Sequence, residues 1–429
     1  MAKLVRKLPS YGADVDMTRY ESIIMDPRFV RLSRIQQVPM AEHLFPGCKH
    51  TREEHSLGSF FIADMLAKSI GLTYEEAEVF KVAALLHDIG HAAYSHVTEC
   101  LTEIAGEKHE KRTEKIVSEM KTAVSDVSFC DPERVLSILK KPDPGEQADD
   151  ITPMVSSVIG VEKMDYVTLD LYHCGFGSVS STHRLITSAK FTKYNGRRKY
   201  GVSYSGGGGD ELTNFLKAWW SAHRMIYLEP SVEIRRAMLQ RAVFYTMEKR
   251  DMLRLFDIDD AELVTEVSHS ADEDARRLMK NANDYKLHKP VIVFKLDGYG
   301  KYSDNGTVAV TLTDSEAQAG TSIIPQDIES LVAKEEELCT KFQIPKGALM
   351  ITPSAYIDRL DPAGKKKECN IFMDGGDTPL GLNEVFPDFV NYLREEARRH
   401  YAARIVVEPE YESHVTQKLG GKNPKSLFM

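Results

Sequence analysis

The sequence predicts a mainly α-helical protein, with a helical domain over residues 1–285 and a smaller α+β lobe over residues 286–429. Three observations lead there. Apolar residues recur at helical spacing through the first two thirds, behind residue types that start helices. After about Lys286 the texture turns to short β-branched runs bounded by Gly and Asp. The 429 residues, 42% of them hydrophobic, suffice for two domains or for one large domain with an appendage.

In the stretch SLGSFFIADMLAKSIG, Leu57, Phe61, Met65 and Leu66 share one helix face, and Gly71 stops it. Thr73 and Glu76 form a capping box that opens the next helix, with Val79, Val82, Ala83 and Leu86 inward. Asp131-Pro132 starts another, with Leu136 and Leu139 as its apolar face. KPDPGEQADD, residues 141–150, is a polar loop. Thr152-Pro153 then caps a long helix expected to run to Gly175. RRKYGVSYS reads as a strand, and the glycines at 206–209 as a flexible connection, because they lack the Lys-Ser/Thr ending of a phosphate loop. Residues 212–260 are helical with a break near Pro230. In the lobe, PVIVFKLDGYG, TVAVTLTD and ARIVVEPEY read as strands and DFVNYLREEARRHYA as an amphipathic helix. The tail KLGGKNPKSLFM is expected to fray. No internal repeat is visible.

Composition excludes several roles. Fifty-five Lys and Arg against 64 Asp and Glu leave −9, which argues against nucleic acid as the main ligand. No apolar stretch reaches the roughly 18 residues of a membrane span. The start MAKLVRKLPS lacks the apolar core of a secretory signal. Six scattered cysteines without a CxxC pair read as reduced thiols, and the expected location is cytoplasmic or nuclear.

The residues that carry chemistry form four groups. In ALLHDIGHAAYSH, His87 and Asp88 end an apolar helix just before Gly90, where adjacent side chains can reach one ion, and His91 and His96 follow. In HTREEHSLG, His55 adds a second imidazole, with Arg52 one turn earlier. Two imidazoles and a carboxylate suit Mn, Fe, Zn or, partly hydrated, Mg. In VEKMDYVTLDLYHCG, Glu162, Tyr166 and Asp170 make one helical stripe flanked by Lys163 and Asp165. From spacing alone this is equally a solvated face or a source of a fourth ligand and a phosphate-binding lysine. In SAHRMIYLEP, His223 and Tyr227 lie one turn apart, as a polar tip and an aromatic wall.

The order His, His-Asp, distal carboxylate resembles the HD superfamily of metal-dependent phosphohydrolases. The chain is more closely similar to its deoxynucleoside triphosphate triphosphohydrolases, including the vertebrate branch that joins a SAM domain to the HD domain. The resemblance runs through DPRFVRLSRIQQV, LFPGCKHTREEHSLG, HDIGHAAYSH, KHEKRTEKI, VEKMDYVTLDLYHCGF and HRMIY, over about residues 25–230. The stretch before it is too short for a SAM domain. The resemblance implies an HD-domain helical bundle, a homo-oligomer, a deoxynucleotide substrate and a role in dNTP catabolism. It implies His55, His87, Asp88 and Glu162 as ligands of a divalent metal (Mg, Mn, Fe or Zn). It makes His109, His91 and Arg52 catalytic, with His109 the acid for the leaving 5′-oxygen. It places Arg52, His96, Lys163 and Tyr166 on the phosphates, Gln37 and Asp170 on the sugar 3′-hydroxyl, and Val38, His223 and Tyr227 beside the sugar.

The chain departs from the pattern at several points. Glu162 replaces the family's Asp, so the ion shifts or Asp165 takes part. Trp219 replaces an arginine on the terminal phosphate, and Val38 a leucine beside the sugar. Met25, Val30 and Ser33 replace polar residues used for guanine-nucleotide activation, so a nucleotide effector, if present, acts differently. The reaction expected is hydrolysis of deoxynucleoside triphosphates to deoxynucleoside and inorganic triphosphate. The alternatives are phosphohydrolysis of mono-, di- or ribonucleotides, and nucleotide binding by a catalytically impaired oligomer.

Overall fold

A computed structural model describes residues 3–140, 146–177, 182–299, 307–317, 322–353, 369–373, 376–420 and 423–428. The chain is mainly helical. Helix α1 (Arg52–Ser69) is capped by Thr51, and α2 (Tyr74–Leu86) opens on the Thr73/Glu76 capping box. Most residues of each are buried, and α2 stops at His87 as expected. Helices α3 (His96–Ile104) and α4 (His109–Glu119) follow, then α5 (Pro132–Leu139) behind its Asp131 cap. The face of α5 that goes inward is Val135 and Ile138, with Leu136 and Leu139 only partly covered.

The expected helix from Thr152 to Gly175 is two helices. A short turn, Thr152–Val155, ends where Ser156 turns out of helical geometry, and Gly160 caps α6 (Val161–His173). The break leaves α6 free to pack across α1, which a continuous rod starting at Thr152 would not do. The glycine run is also not a loose connection. Residues 205–207 form a tight turn, and Gly208 and Gly209 are the buried first residues of α7 (Gly208–Ala222). A π-turn, His223–Tyr227, joins α7 to α8 (Pro230–Thr246). Of the loop at 141–150, residues 141–145 lie outside the described residues.

The strands are β1 (Val5–Leu8), β2 (Ala13–Asp16), β3 (Ala189–Tyr194), β4 (Arg197–Ser203), β5 (Lys289–Leu296), β6 (Val308–Leu312), β7 (Leu349–Thr352), β8 (Asn370–Phe372), β9 (Pro379–Gly381) and β10 (Ala403–Val407). β1 and β2 form an N-terminal hairpin. One sheet has the order β6-β5-β10-β7, and helix α9 (Ile328–Phe342) joins its apolar core. The other has the order β3-β4-β8-β9 and spans the expected boundary at 286, because β8 runs parallel to β4. Ile371, Leu382, Val390 and Leu393 share a core with α1, α2 and α6, so residues 369–373 and 376–397 pack with the helical part. The helix expected in this stretch is α10 (Pro387–His400). The tail does not fray throughout: residues Pro424–Leu427 form a turn that buries Leu427, while residues 421–422 and 429 lie outside the described residues. The six cysteines are free thiols, and no helix among the described residues is long and apolar enough to cross a membrane.

Candidate metal and phosphate site

α1 brings His55, and the end of α2 brings His87 and Asp88, to one point. Their ligand atoms lie within 4.8 Å of one another. His55 Nε2 is 3.1 Å from His87 Nε2 and 3.5 Å from Asp88 Oδ2, and His87 Nε2 is 3.4 Å from Asp88 Oδ1. The opposite ring nitrogens are anchored. His87 Nδ1 donates to the Ala84 carbonyl at 2.8 Å, and His55 Nδ1 meets Asp165 Oδ2 at 2.7 Å. Anchored this way, the two rings turn their Nε2 atoms toward each other and toward a carboxylate. The arrangement calls for a positive charge at its centre. Burial alone would pull the His55 imidazole down, but the Asp165 hydrogen bond and charge hold its proton affinity above the ordinary value. Burial works against the Asp88 carboxylate too, yet His87, His91 and Arg52 keep it well below the usual range. A borderline divalent ion fits this donor set.

Glu162 is half-buried and does not enter the cluster. Asp165, on the same helix, is fully buried behind His55 and also accepts from the Tyr11 hydroxyl at 2.6 Å. Room for it comes from Gly58, where a Cβ would lie 1.9 Å from Asp165 Oδ1. Gly58→Ala is therefore expected to push Asp165 off His55 and weaken divalent-ion affinity roughly 10–100-fold. Isothermal metal titration checks this, with circular dichroism to confirm folding.

Beside the cluster, His91 is fully buried and neither ring nitrogen makes a hydrogen bond, although Nε2 lies 3.3 Å from Asp88 Oδ1. It stacks on His109, with ring centroids 4.2 Å apart. Burial, with Arg52 adding to it, drives His91 well below its ordinary pKa and leaves it neutral. His109 Nδ1 bonds Glu99, which also holds the more exposed His96 at 2.9 Å. The two histidines outweigh the burial of Glu99 and lower its pKa, and Glu99 in turn outweighs the burial of His109 and raises it. Gly90 permits this approach: a Cβ there would sit 2.4 Å from the His109 carbonyl oxygen. Arg52 joins Asp88 and gives its Nε to Ser95 Oγ at 2.9 Å. Ser95 and Tyr94 both have positive φ, at 52° and 59°, a cost that L-residues carry where the surroundings over-determine them.

The stripe on α6 points inward rather than to solvent. Asp170 is buried, with His50 Nε2 on Oδ1 at 2.7 Å and the Tyr227 hydroxyl on Oδ2. Burial opposes the His50 charge, but the bond to Asp170 pushes the ring up to about 9. Tyr166 accepts from Trp219 Nε1 at 2.9 Å and lies edge-on between the His55 and Tyr227 rings. His223 stands 4.9 Å from Tyr227, ring to ring. Lys163 gives its ammonium to the Ser157 carbonyl at 3.3 Å, and burial lowers its pKa. Gln37 and Val38 are buried, and Gln37 Oε1 makes no hydrogen bond. Sequence reasoning passed over Glu99, His50, Ser95 and Tyr11. Only Glu99 left a local sign there, three residues after His96.

Residues 52–164 match the family model described as HD domain. The chain is 25% identical over 332 residues to the deoxynucleoside triphosphate triphosphohydrolase SAMHD1 homolog of Dictyostelium discoideum, covering 70% of this chain and 62% of that protein. The chain is similar to HD-domain proteins over residues 52–164. It is also 30% identical over 290 residues to an uncharacterized protein of Methanocaldococcus jannaschii, covering 66% of this chain and 59% of that one. It spans about three fifths of these two relatives. A phosphohydrolase from Bacteroides thetaiotaomicron shares the fold, with a TM-score of 0.67 at 20% identity over 95% of this chain and 100% of that one. The residues matched by the HD-domain model include His55, His87 and Asp88.

Proposed function

We propose that this protein hydrolyses deoxynucleoside triphosphates to deoxynucleoside and inorganic triphosphate. The observation that carries the reading is the facing of His55 Nε2, His87 Nε2 and Asp88 around one point, beside a neutral His91 and a Glu99-held His109. His55, His87 and Asp88 would hold the divalent ion, and Glu162, outside their cluster, would have to turn toward it to serve as the fourth protein ligand. A bound ion supplies Lewis acidity and an acidified water.

The residues do the rest. Arg52 and Lys163 face the charge that develops on the non-bridging oxygens. The one N–H of a neutral His91, without a hydrogen-bond partner here, suits a phosphate oxygen in the same way. Water adds at the α-phosphorus, the bond to the 5′-oxygen breaks, and His109 gives its proton to that oxygen. Such an acid contributes about 10²–10⁴-fold. Gln37 and Asp170 take the 3′-hydroxyl, and Tyr227 closes the space a 2′-hydroxyl would need. His96 and Tyr166 complete the phosphate cradle, and His223 supports the sugar wall next to Val38. The Dictyostelium relative carries the name of this activity, which supports the reading.

The test is incubation of the pure protein with each deoxynucleotide and Mg or Mn, with products identified by mass spectrometry. Deoxynucleoside plus tripolyphosphate is expected, and release of only orthophosphate or pyrophosphate overturns it. The buried Trp219, bonded to Tyr166, favours a second reading in which shorter nucleotides are the substrates, and the same panel separates the two.

The pH dependence follows from Glu99. His109 works as an acid only when protonated, and Glu99 raises its pKa, so activity is expected to persist above the ordinary histidine value and fall as pH rises through the raised one. Glu99→Gln removes the charge, and the alkaline limb of the kcat profile should move to lower pH.

A further inference from the structure

We propose that the cleft on the outer side of the His87–Asp88 turn is a second anion site that takes a polyphosphate group. The cavity holds about 450 Å³ and lies between the helix Pro27–Arg31, α4 and the turn Lys249–Phe256. Five cations line it, Arg28, Arg31, Arg34, Arg112 and Lys115, against two carboxylates, Glu119 and Asp257. Arg28 is also paired with Asp26, Arg34 with Asp259 and Arg112 with Glu107, so the positive charge on offer to a ligand is that of Arg31 and Lys115. Two of the five have no acidic partner. Arg31 gives its guanidinium to backbone carbonyls only, those of His91 at 2.8 Å, Ile258 at 2.9 Å and Leu255 at 3.2 Å. Lys115 makes no hydrogen bond or ion pair among the described residues. Arg112 lies over the Phe256 ring and pairs with the exposed Asp257 at 2.5 Å, a contact an incoming anion can replace.

Cations on several walls suit a ligand with several charges spread along its length, and guanidinium forks match phosphate oxygens. Both a nucleoside triphosphate and free tripolyphosphate have that chemistry. The site is built on residues other than Met25, Val30 and Ser33. It also reaches the chemistry. Arg31 holds the His91 carbonyl, Ile89 lines the cleft directly after Asp88, and α4 carries His109 at its first turn and Arg112 and Lys115 further along. An anion here therefore pulls on the helix that aims His109. Regulation through this contact rests on the function proposed above, whereas binding does not.

The experiment is calorimetric titration, in EDTA to stop turnover, with sodium tripolyphosphate, ATP and adenosine. Three chains are compared: the natural one, Arg28→Ala/Lys115→Ala, and Lys163→Ala, which removes a cation proposed for the substrate phosphates. Tripolyphosphate binding is expected to survive in Lys163→Ala, to weaken about tenfold or more in Arg28→Ala/Lys115→Ala, and to be absent for adenosine. Equal affinity for ATP and tripolyphosphate assigns the site to the polyphosphate itself, and a clear preference for ATP assigns it to a nucleotide. Undiminished binding in Arg28→Ala/Lys115→Ala, or none in the natural chain, overturns the site. Failure of the hydrolysis assay leaves this result standing, so the two proposals fail separately.

Discussion

Asp88→Asn is expected to lower the hydrolysis rate by about 10³-fold or more, equivalent to about 4 kcal/mol in the barrier. Asparagine keeps the shape of the side chain but removes the one carboxylate in the His55, His87 and Asp88 group, so the affinity for a divalent ion goes with it. A second consequence has to be separated from the first. Asp88 is buried against Arg52, and an asparagine there leaves the guanidinium without its countercharge. Removing one partner of a buried pair typically costs about 3–5 kcal/mol of stability. His87→Gln resolves the two effects. It leaves Asp88 and Arg52 paired, removes one ligand nitrogen, and should lose activity and ion affinity with little change in thermal midpoint. Kinetics, metal titration and thermal melting on both variants make the check. An active, ion-binding Asp88→Asn protein would show that the cluster is not where the chemistry happens.

Glu335→Ala is expected to cost the fold about 3–5 kcal/mol. Glu335 sits on α9 with no exposed surface, and both its oxygens are engaged by Arg241 of α8, at 2.6 and 3.0 Å. One of those oxygens also accepts the Ile351 amide at 2.8 Å, while Arg241 donates to the Ile351 carbonyl at 3.0 Å. The pair thus ties the helical part to the sheet β6-β5-β10-β7 through side chain and backbone together. Truncating Glu335 leaves a buried guanidinium and an amide unmatched. Arg241→Met/Glu335→Leu, which removes both charges and refills the space, should recover much of the loss. Denaturant melts of the single and double variants measure this. A single variant as stable as the natural chain would mean that water already reaches the pair.

The residues of the site differ in how legible they were. His87 and Asp88 stand out because a buried apolar helix that ends in two polar groups is expensive unless something is bound there. His55 and Arg52 were visible as a pair one turn apart at a helix start. His50 was not, because it matters only through Asp170, far along the chain, and Glu99, three residues after His96, took on its role only when His109 packed against it. The stripe of Glu162, Tyr166 and Asp170 was ambiguous for a related reason: periodicity gives the direction a side chain takes from its own helix, not what lies opposite. The break at residues 156–160 and the docking of residues 369–373 and 376–397 onto the helical core were hidden likewise, since both depend on the surface that receives them.

Alone, the sequence determined the helical class, the stop of α1 near Gly71, the capped start of α2, the placing of His-Asp where a helix stops, and the change to strands near residue 286, while the Thr51 cap that starts α1 ahead of His55 came from the structure. These are local consequences of backbone propensity, capping and apolar period. Tertiary structure decided that Asp165 rather than Glu162 backs His55, that β8 pairs with β4 across more than 160 residues, and that five cations gather behind the site. Such outcomes depend on which buried surfaces meet, and a carboxylate or guanidinium acquires its role only from the charge that packing sets against it.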